Sequence, residues 1–563
     1  MINLYCTNLE KEISCEPGTT LAQLAQRCGK VTEWPILAAI VDNQLKELSY
    51  PIYDSHNIQF IDYSHPDGAR TYFRSLSFVL QKAVSEIFEN YSLSIEYNMQ
   101  NGMYVELKKK NENGGPSLPA TISEAELNTL KNRMQGIIDA DLPFVKRKVR
   151  CEEALELFRS TGREEKALLH QLRGRFFTSV YFIEEYPDHY YGPLLYSTGA
   201  LTKWDLDLFS RGFMLKSPSH TSPYKFSDIP IQYKLFDVFK EHAQWCNILG
   251  VRSVGSINKA ILDGKAASLI QISEALHERK YSLIADEIYR GRDKIKLILV
   301  AGPSSSGKTT SSKRVALQAK VLGLQPVIIE MDNYFVNRED TPLDSDGNFD
   351  FETIKALDIN FLKEQLNALF EGERVELPKF NFSEGRREFD GTFLSLGEND
   401  ILIMEGIHAL NPLITSGFPS DKIYKLYVSA LTSLALDENN SISTSDSRLL
   451  RRIVRDNSYR GASAEDTILR WPSVRRGEIE NIFPYQENSQ IMFNSAMLYE
   501  LSMLKYFVEP LLRRIPANSP ASVESIRLLK FLSYIRQLQP SEIAAIPPTS
   551  VMREFIGGSS FIY

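Results

Sequence analysis

Residues 294–323 read KIKLILVAGPSSSGKTTSSKRVALQAKVLG. Ile295–Val300 is rich in Leu and β-branched residues and predicts a buried strand. A glycine-rich turn follows at once, then a long helix, so the stretch opens an α/β unit. Gly302–Thr309 fits G-x-x-x-x-G-K-[ST] without mismatch. In that context small residues let backbone N–H groups wrap a phosphate, and the helix N-terminus adds partial positive charge. Lys308 can reach β/γ-phosphates, and Thr309 offers a hydroxyl to Mg²⁺. Gly302, Ser304, Ser305, Ser306, Gly307, Lys308, Thr309 and Thr310 are therefore the expected ATP-binding residues.

The residues that follow narrow the chemistry. Pro326–Glu330 predicts a second strand ending in MDNYF, which puts Asp332 and Tyr334 at the rim where α/β sheets bind ligands. A carboxylate there can take the proton of an attacking hydroxyl. DGNFDFETIKALD predicts a polar turn and a helix from Phe351, with Asp350 either capping that helix or binding substrate hydroxyls. VELPKFNFSEGRREF offers an aromatic pair, Phe380 and Phe382, and a basic pair, Arg386 and Arg387. Aromatic rings suit a flat ligand but are more often core. Asp400–Met404 predicts a buried strand closed by Glu405, the position that holds Mg²⁺ directly or through water. In SRLLRRIVRDNSYRG, Arg448, Arg452 and Arg455 fall on one helical face with Arg451 beside them. Such a face can neutralise transferring phosphates.

Composition sets the frame. At roughly 150 residues per domain, 563 residues suggest three or four domains. With 43% hydrophobic and 24% charged residues, the chain is not wholly disordered, collagen-like or a disulfide scaffold. Its formal charge of −7 argues against a bulk nucleic-acid coat. The longest apolar runs fall far short of the roughly 18 residues of a membrane span, and MINLYCTNLEKE lacks the features of a secretory signal. Five scattered cysteines form no CxxC pair, which predicts reduced thiols and a cytoplasmic protein.

Upstream, short predicted strands at Ile2–Tyr5, Glu12–Cys15, Ile36–Val41 and Ile58–Ile61 surround an amphipathic helix at Leu21–Cys28. This resembles the TGS module, a small β-grasp domain, over residues 1–63. Helices are predicted at Arg74–Glu89, at Ser123–Ile138 with a capping box, and at Cys151–Arg159. A strand is predicted at Tyr104–Leu107, ended by the loop Lys108–Ser117. RSLSFVLQKAVSEIF, FVKRKVRCEEALELF and YYGPLLYSTGALTKWDLDLFSRGFMLKS resemble the second additional domain of threonyl- and alanyl-tRNA synthetases over residues 64–220. That family's editing site uses His and Cys side chains. The matching positions here are Arg74, Phe78, Tyr190 and Leu194, so water activation is not expected. Ser217–Pro223 reads as a linker, and Ile257–Ile288 as helical with a break at Gly264.

Over residues 294–510 the ordered motifs GPSSSGKTT, MDNYF, NFDF, P-x-F-N-F-x-x-G-R-R, MEGIHAL and SRLLRRIVRD resemble the phosphoribulokinase/uridine kinase family, specifically uridine–cytidine kinases. The resemblance implies a kinase using ATP and Mg²⁺, with Asp332 as base and Lys308, Arg448 and Arg452 in catalysis. It implies Thr309 and Glu405 at the metal and Arg451 and Arg455 at the nucleotide. Asp332, Tyr334, Asp350, Phe380, Arg387 and Arg448 would line the acceptor site. Pyrimidine kinases of the family carry Tyr-Asp-Phe followed by a base-reading histidine. Here Phe380-Asn381-Phe382 and Gly385 stand instead, so a nucleoside, a sugar phosphate and pantothenate all remain open as acceptors. The expected fold is multidomain: the β-grasp, the α+β synthetase-like domain, a helical linker (221–293), an α/β P-loop kinase domain with a parallel sheet, and a C-terminal helical extension (511–563). Helices are predicted there at Ser495–Val508 and Ile526–Ile535. A homo-oligomer, and a nucleic-acid contact through Lys108–Lys110 or Lys146–Arg150, are the remaining partner alternatives.

Overall fold

Five strands form a parallel sheet in the order Gln325–Glu330, Asp400–Glu405, Leu297–Ala301, Ile423–Ser429, Ile491–Asn494. The P-loop strand Leu297–Ala301 lies in the middle and is buried along its whole length, which is why it reads as an unbroken apolar run. Its alternate residues serve two cores. Ile298 and Val300 pack with Tyr281, Ile284 and Ile288 of the helix Ala266–Arg290 and with Val315 and Ala319 of the P-loop helix Lys308–Val321. Leu297, Leu299 and Ala301 face Phe236, Phe239, Leu362 and Leu366 on the other side. The computed structural model describes residues 1–99, 101–109, 118–219, 222–344, 347–432 and 434–562. Most of the expected loop at Lys108–Ser117, with Lys110, lies outside them, as do residues 220 and 221 of the expected linker.

The N-terminal strands form a sheet ordered Lys11–Cys15, Ile2–Cys6, Asn57–Ile61, Ala38–Val41, Gln44–Lys46. The helix Leu21–Cys28 packs on it through Leu21 and Leu24, and Thr20 and Gln23 cap its start reciprocally. Next, the helix Pro66–Ile87 shares a core with the helix Glu124–Asp139 and with the strands Met103–Lys109 and Gly212–Lys216. The capping box of Ser123 and Glu126 forms as its spacing predicts. The four positions matching the synthetase editing site are filled by packing. Phe78 stacks on Phe144 and lies against Tyr190, Leu194 is fully buried, and Arg74 donates to the Pro193 carbonyl.

Two expectations need correction. The helix expected from Phe351 begins at Ile359, because the Asp358 carboxylate accepts the Phe361 N–H and captures the start there. The turn before it holds only a short 3₁₀ stretch, Ile354–Ala356. The segment 221–293 is also no detached linker. Val254, Ile257, Leu269 and Ile270 share one core with Leu449, Leu450 and Ile453, and with Leu528, Phe531 and Phe555 near the C-terminus. Both ends of the kinase-like part therefore meet on the same helical layer.

A loop of that part, Ala435–Ser441, is seated in the synthetase-like part. The Glu438 carboxylate accepts N–H groups of Glu165 and Lys166 at the start of a helix, and its carbonyl accepts the Ile95 N–H. Asn439 donates to Asp188 and Asn440 to the His189 carbonyl. Asp188 is fully buried and paired with Lys166 and Arg163. Among the described residues no helix is long and apolar enough to cross a membrane, and all five cysteines are free.

Candidate active site

The P-loop takes its shape from close backbone approach. A Cβ on Gly302 would collide with the Val428 carbonyl, so only glycine fits. Gly307 adopts φ +84° and Ser305 φ +58°, and these left-handed residues bend the loop into the helix that starts at Lys308. The hydroxyls of Ser305 and Ser306 are buried without a protein partner. Such donors, with the unpaired amides of a helix start, suit a phosphate.

Beneath the loop, the ends of three strands converge. Thr309 donates its hydroxyl to Glu405 Oε1 at 2.7 Å, joining the two residues expected at the metal. Glu405 is pushed up to about 7, first by burial, then by Asp332 and Glu330, while Lys308 and Thr309 pull it down. Asp332 stands in the short helical turn Met331–Tyr334 straight after its strand. Burial raises it, opposed by Lys308, Arg460 and Arg455. This crowding of carboxylates around one lysine favours a bound cation. Among the described residues no group of three or more His, Cys, Asp or Glu could hold a metal alone. The Thr309 hydroxyl and the Glu405 carboxylate supply oxygen donors of the kind Mg²⁺ takes, one or two from the protein, with phosphate and water completing the shell.

Sequence reasoning missed Glu352, which signals itself only in three dimensions. Its carboxyl is pushed up to about 7, by burial first and then by Glu478 and Asp332, with Arg452 and Lys308 opposing. Asp350 instead accepts the Glu352 N–H at 3.0 Å within its own turn. His408 is held neutral beside Lys308, pushed down to about 4 chiefly by burial. Beyond lies the hairpin Val375–Asn381/Arg386–Leu394, anchored by the Phe380 N–H on Asn333. Phe380 packs between Phe335 and Phe382. The Tyr334 hydroxyl is buried and donates to Gln365, while Arg387 donates to Asp358 and to the Phe335 carbonyl. Of these three expected acceptor residues, Phe380 packs among rings, the Tyr334 hydroxyl and one terminal nitrogen of Arg387 already have protein partners, and Arg387 Nε is buried without one.

The arginine helix, Thr444–Tyr459, departs from the expected open cationic face. Arg448 is buried, forms a bidentate pair with Glu478 and donates to the Ser304 carbonyl at 3.1 Å. Glu478 also accepts the Ser304 N–H, so the pair clamps the P-loop backbone. Arg451 is equally buried, paired with Glu500 and donating to the Ser305 and Ser495 carbonyls. Arg452 donates to Ser304 Oγ and, with Arg455, to Asp456. The cause is that each guanidinium finds a carboxylate or carbonyl, as buried charges must.

Residues 297–501 match the model of the phosphoribulokinase/uridine kinase family. A uridine kinase of Deinococcus deserti is 27% identical over 31% of this chain and 73% of its own length. A threonine–tRNA ligase of Symbiobacterium thermophilum is 26% identical over 34% of this chain, which spans 28% of the ligase. Among solved structures, a D-glycerate 3-kinase of Cryptococcus neoformans is 11% identical with a TM-score of 0.21, covering 46% of this chain and 87% of that one. Residues 297–501 thus carry a phosphoribulokinase/uridine kinase family domain, joined to an N-terminal half similar to threonine–tRNA ligases.

Proposed function

We propose that the chain is an ATP-dependent kinase transferring the γ-phosphate to a hydroxyl of a small molecule, in the first instance the 5′-hydroxyl of a nucleoside of the uridine or cytidine type. The observation that carries this is the convergence of Lys308, the Thr309–Glu405 pair and Asp332 beneath one P-loop. The loop amides, the serine hydroxyls and Lys308 would hold the phosphates. Thr309 and Glu405 would hold Mg²⁺, which supplies charge neutralisation at the phosphates when bound. Asp332 would orient the acceptor hydroxyl and take its proton, and positioning does most of the work because the transfer needs little covalent help. Arg448, Arg451 and Arg452 would fix the loop they grip, and Arg455 would support Asp456. Phe380, Tyr334, Arg387 and Asp350 would shape the acceptor cavity.

Five free cysteines suit a reducing cytoplasm. ADP release would be screened over nucleosides, sugar phosphates and pantothenate with wild type and Lys308→Ala. The expected result is turnover on a pyrimidine nucleoside, abolished in a folded Lys308→Ala protein. Turnover only on a sugar phosphate or pantothenate would keep the kinase and replace the acceptor. The likeness of the N-terminal half to tRNA ligases supports a second reading, a tRNA-associated regulator that senses nucleotide. Salt-dependent tRNA binding without acceptor-dependent ADP release would favour it.

A further inference from the structure

The C-terminal residues 547–562 lie along the start of the P-loop helix. Glu554 Oε2 accepts the Thr310 N–H at 3.2 Å and the Thr310 hydroxyl at 2.6 Å. The segment is anchored independently of that contact. Arg314 donates to the Thr549 carbonyl at 2.8 Å, and Lys313 donates to the Ile562 carbonyl. Val551 is buried where a Cβ on Gly307 would collide with it, and Phe555 is buried with the Arg451 guanidinium 5.1 Å from its ring centre.

The N–H groups of a helix's first turn have no intrahelical partner, and this makes a helix start an anion site. Thr310 is the third residue of this helix. In a P-loop the lysine reaches the β/γ-phosphates while loop and helix-start N–H groups cradle the α/β-phosphates, so the Thr310 donors would fall to the phosphates nearer the ribose. One of those positions is therefore already filled by an anion of the chain itself. Carboxylate and phosphate cannot share the same two donors, because two unscreened like charges a few ångströms apart repel strongly.

Resting on the P-loop reading above, we propose that Glu554 is an affinity-determining residue of the nucleotide site. Its carboxylate holds the Thr310 donors that the phosphate nearest the ribose would take, and a nucleotide binds by displacing it. The anchors at Thr549, Val551 and Phe555 keep the segment in place, so only the side chain needs to swing.

The test is a titration of full-length wild type, Glu554→Gln, Glu554→Ala and Lys308→Ala with ATP, AMP and adenosine, with melting curves alongside. Glu554→Gln keeps shape and removes charge, and about tenfold tighter binding of ATP and AMP is expected, with adenosine unchanged. Glu554→Ala should move in the same direction. Unchanged or weaker ATP and AMP binding in both variants overturns the proposal. So does an equal gain for adenosine, since a competitor of phosphate cannot act on a ligand lacking it. Should wild type and both Glu554 variants bind no nucleotide, the P-loop reading falls as well. ATP binding that is lost in Lys308→Ala but untouched at Glu554 overturns this proposal alone.

Discussion

Asp332 and Glu352 are two carboxylates near one lysine, and substitution separates them. Asp332→Asn keeps shape but removes the base. It should lower kcat and kcat/KM together by about 10²–10⁴-fold with ATP affinity nearly unchanged. Normal kcat would move the base elsewhere, with Glu352 the next candidate because it faces Lys308. Glu352 also predicts a pH effect. Its folded value, about 7, lies above the ordinary 4.5, so the folded state holds the proton more tightly. Its contribution is fully present below about 4.5 and is lost as pH rises through about 7. The loss is on the order of 3 kcal/mol. In Glu352→Gln the apo protein should therefore melt higher than wild type at pH 8 and at the same temperature near pH 4.5. Parallel melting curves across that range would contradict the assignment.

At the level of elements, the arginine helix and the helix Ala464–Asn481 grip the P-loop through Arg448 and Glu478. Glu478→Gln leaves two guanidiniums, Arg448 and Arg475, short of their carboxylate. Breaking such a buried pair costs about 3–5 kcal/mol, which denaturant titration would read. The double change Arg448→Met with Glu478→Leu should recover most stability yet leave ATP affinity reduced, since no clamp remains. Equal recovery of both would mean that the pair only fills space. These elements also mark how far a sequence reading reaches. The helical period of Leu21–Cys28 and the unbroken apolar run of Leu297–Ala301 were legible because local patterning sets them. The P-loop, Asp332 and Glu405 were legible because motif and strand end lie side by side. Partners of the arginines were not, because Glu478 and Glu500 lie 30 and 49 residues downstream of Arg448 and Arg451. Glu554 lies 244 residues from Thr310, beyond any local pattern.

Across the whole molecule, the order of parts was legible from motifs, whereas their interlocking was not. Nothing local in the stretch ALDENNS announces that it reaches into the synthetase-like half. Its seat depends on Asp188, which joins Lys166, Arg163 and Asn439 in the buried interior. Asp188→Asn should cost about 3–5 kcal/mol, because Arg163 loses its carboxylate and Lys166 keeps only Asp437. Calorimetry should show one transition in wild type, shifted downward as a unit in the variant. A separate kinase transition that stays in place would show the halves to be energetically independent.

The seated loop also bears on how the chain is made. Asp188 leaves the ribosome about 250 residues before Asn439, which at about 5–20 residues per second is roughly 10–50 seconds. Throughout that interval the newly made first half carries a charged hollow whose filling has not yet been translated. In that interval Lys166 and Arg163 already pair with Asp188, whereas the loop's bonds to Asp188 and to the helix start at Glu165 form only once the second half has been made.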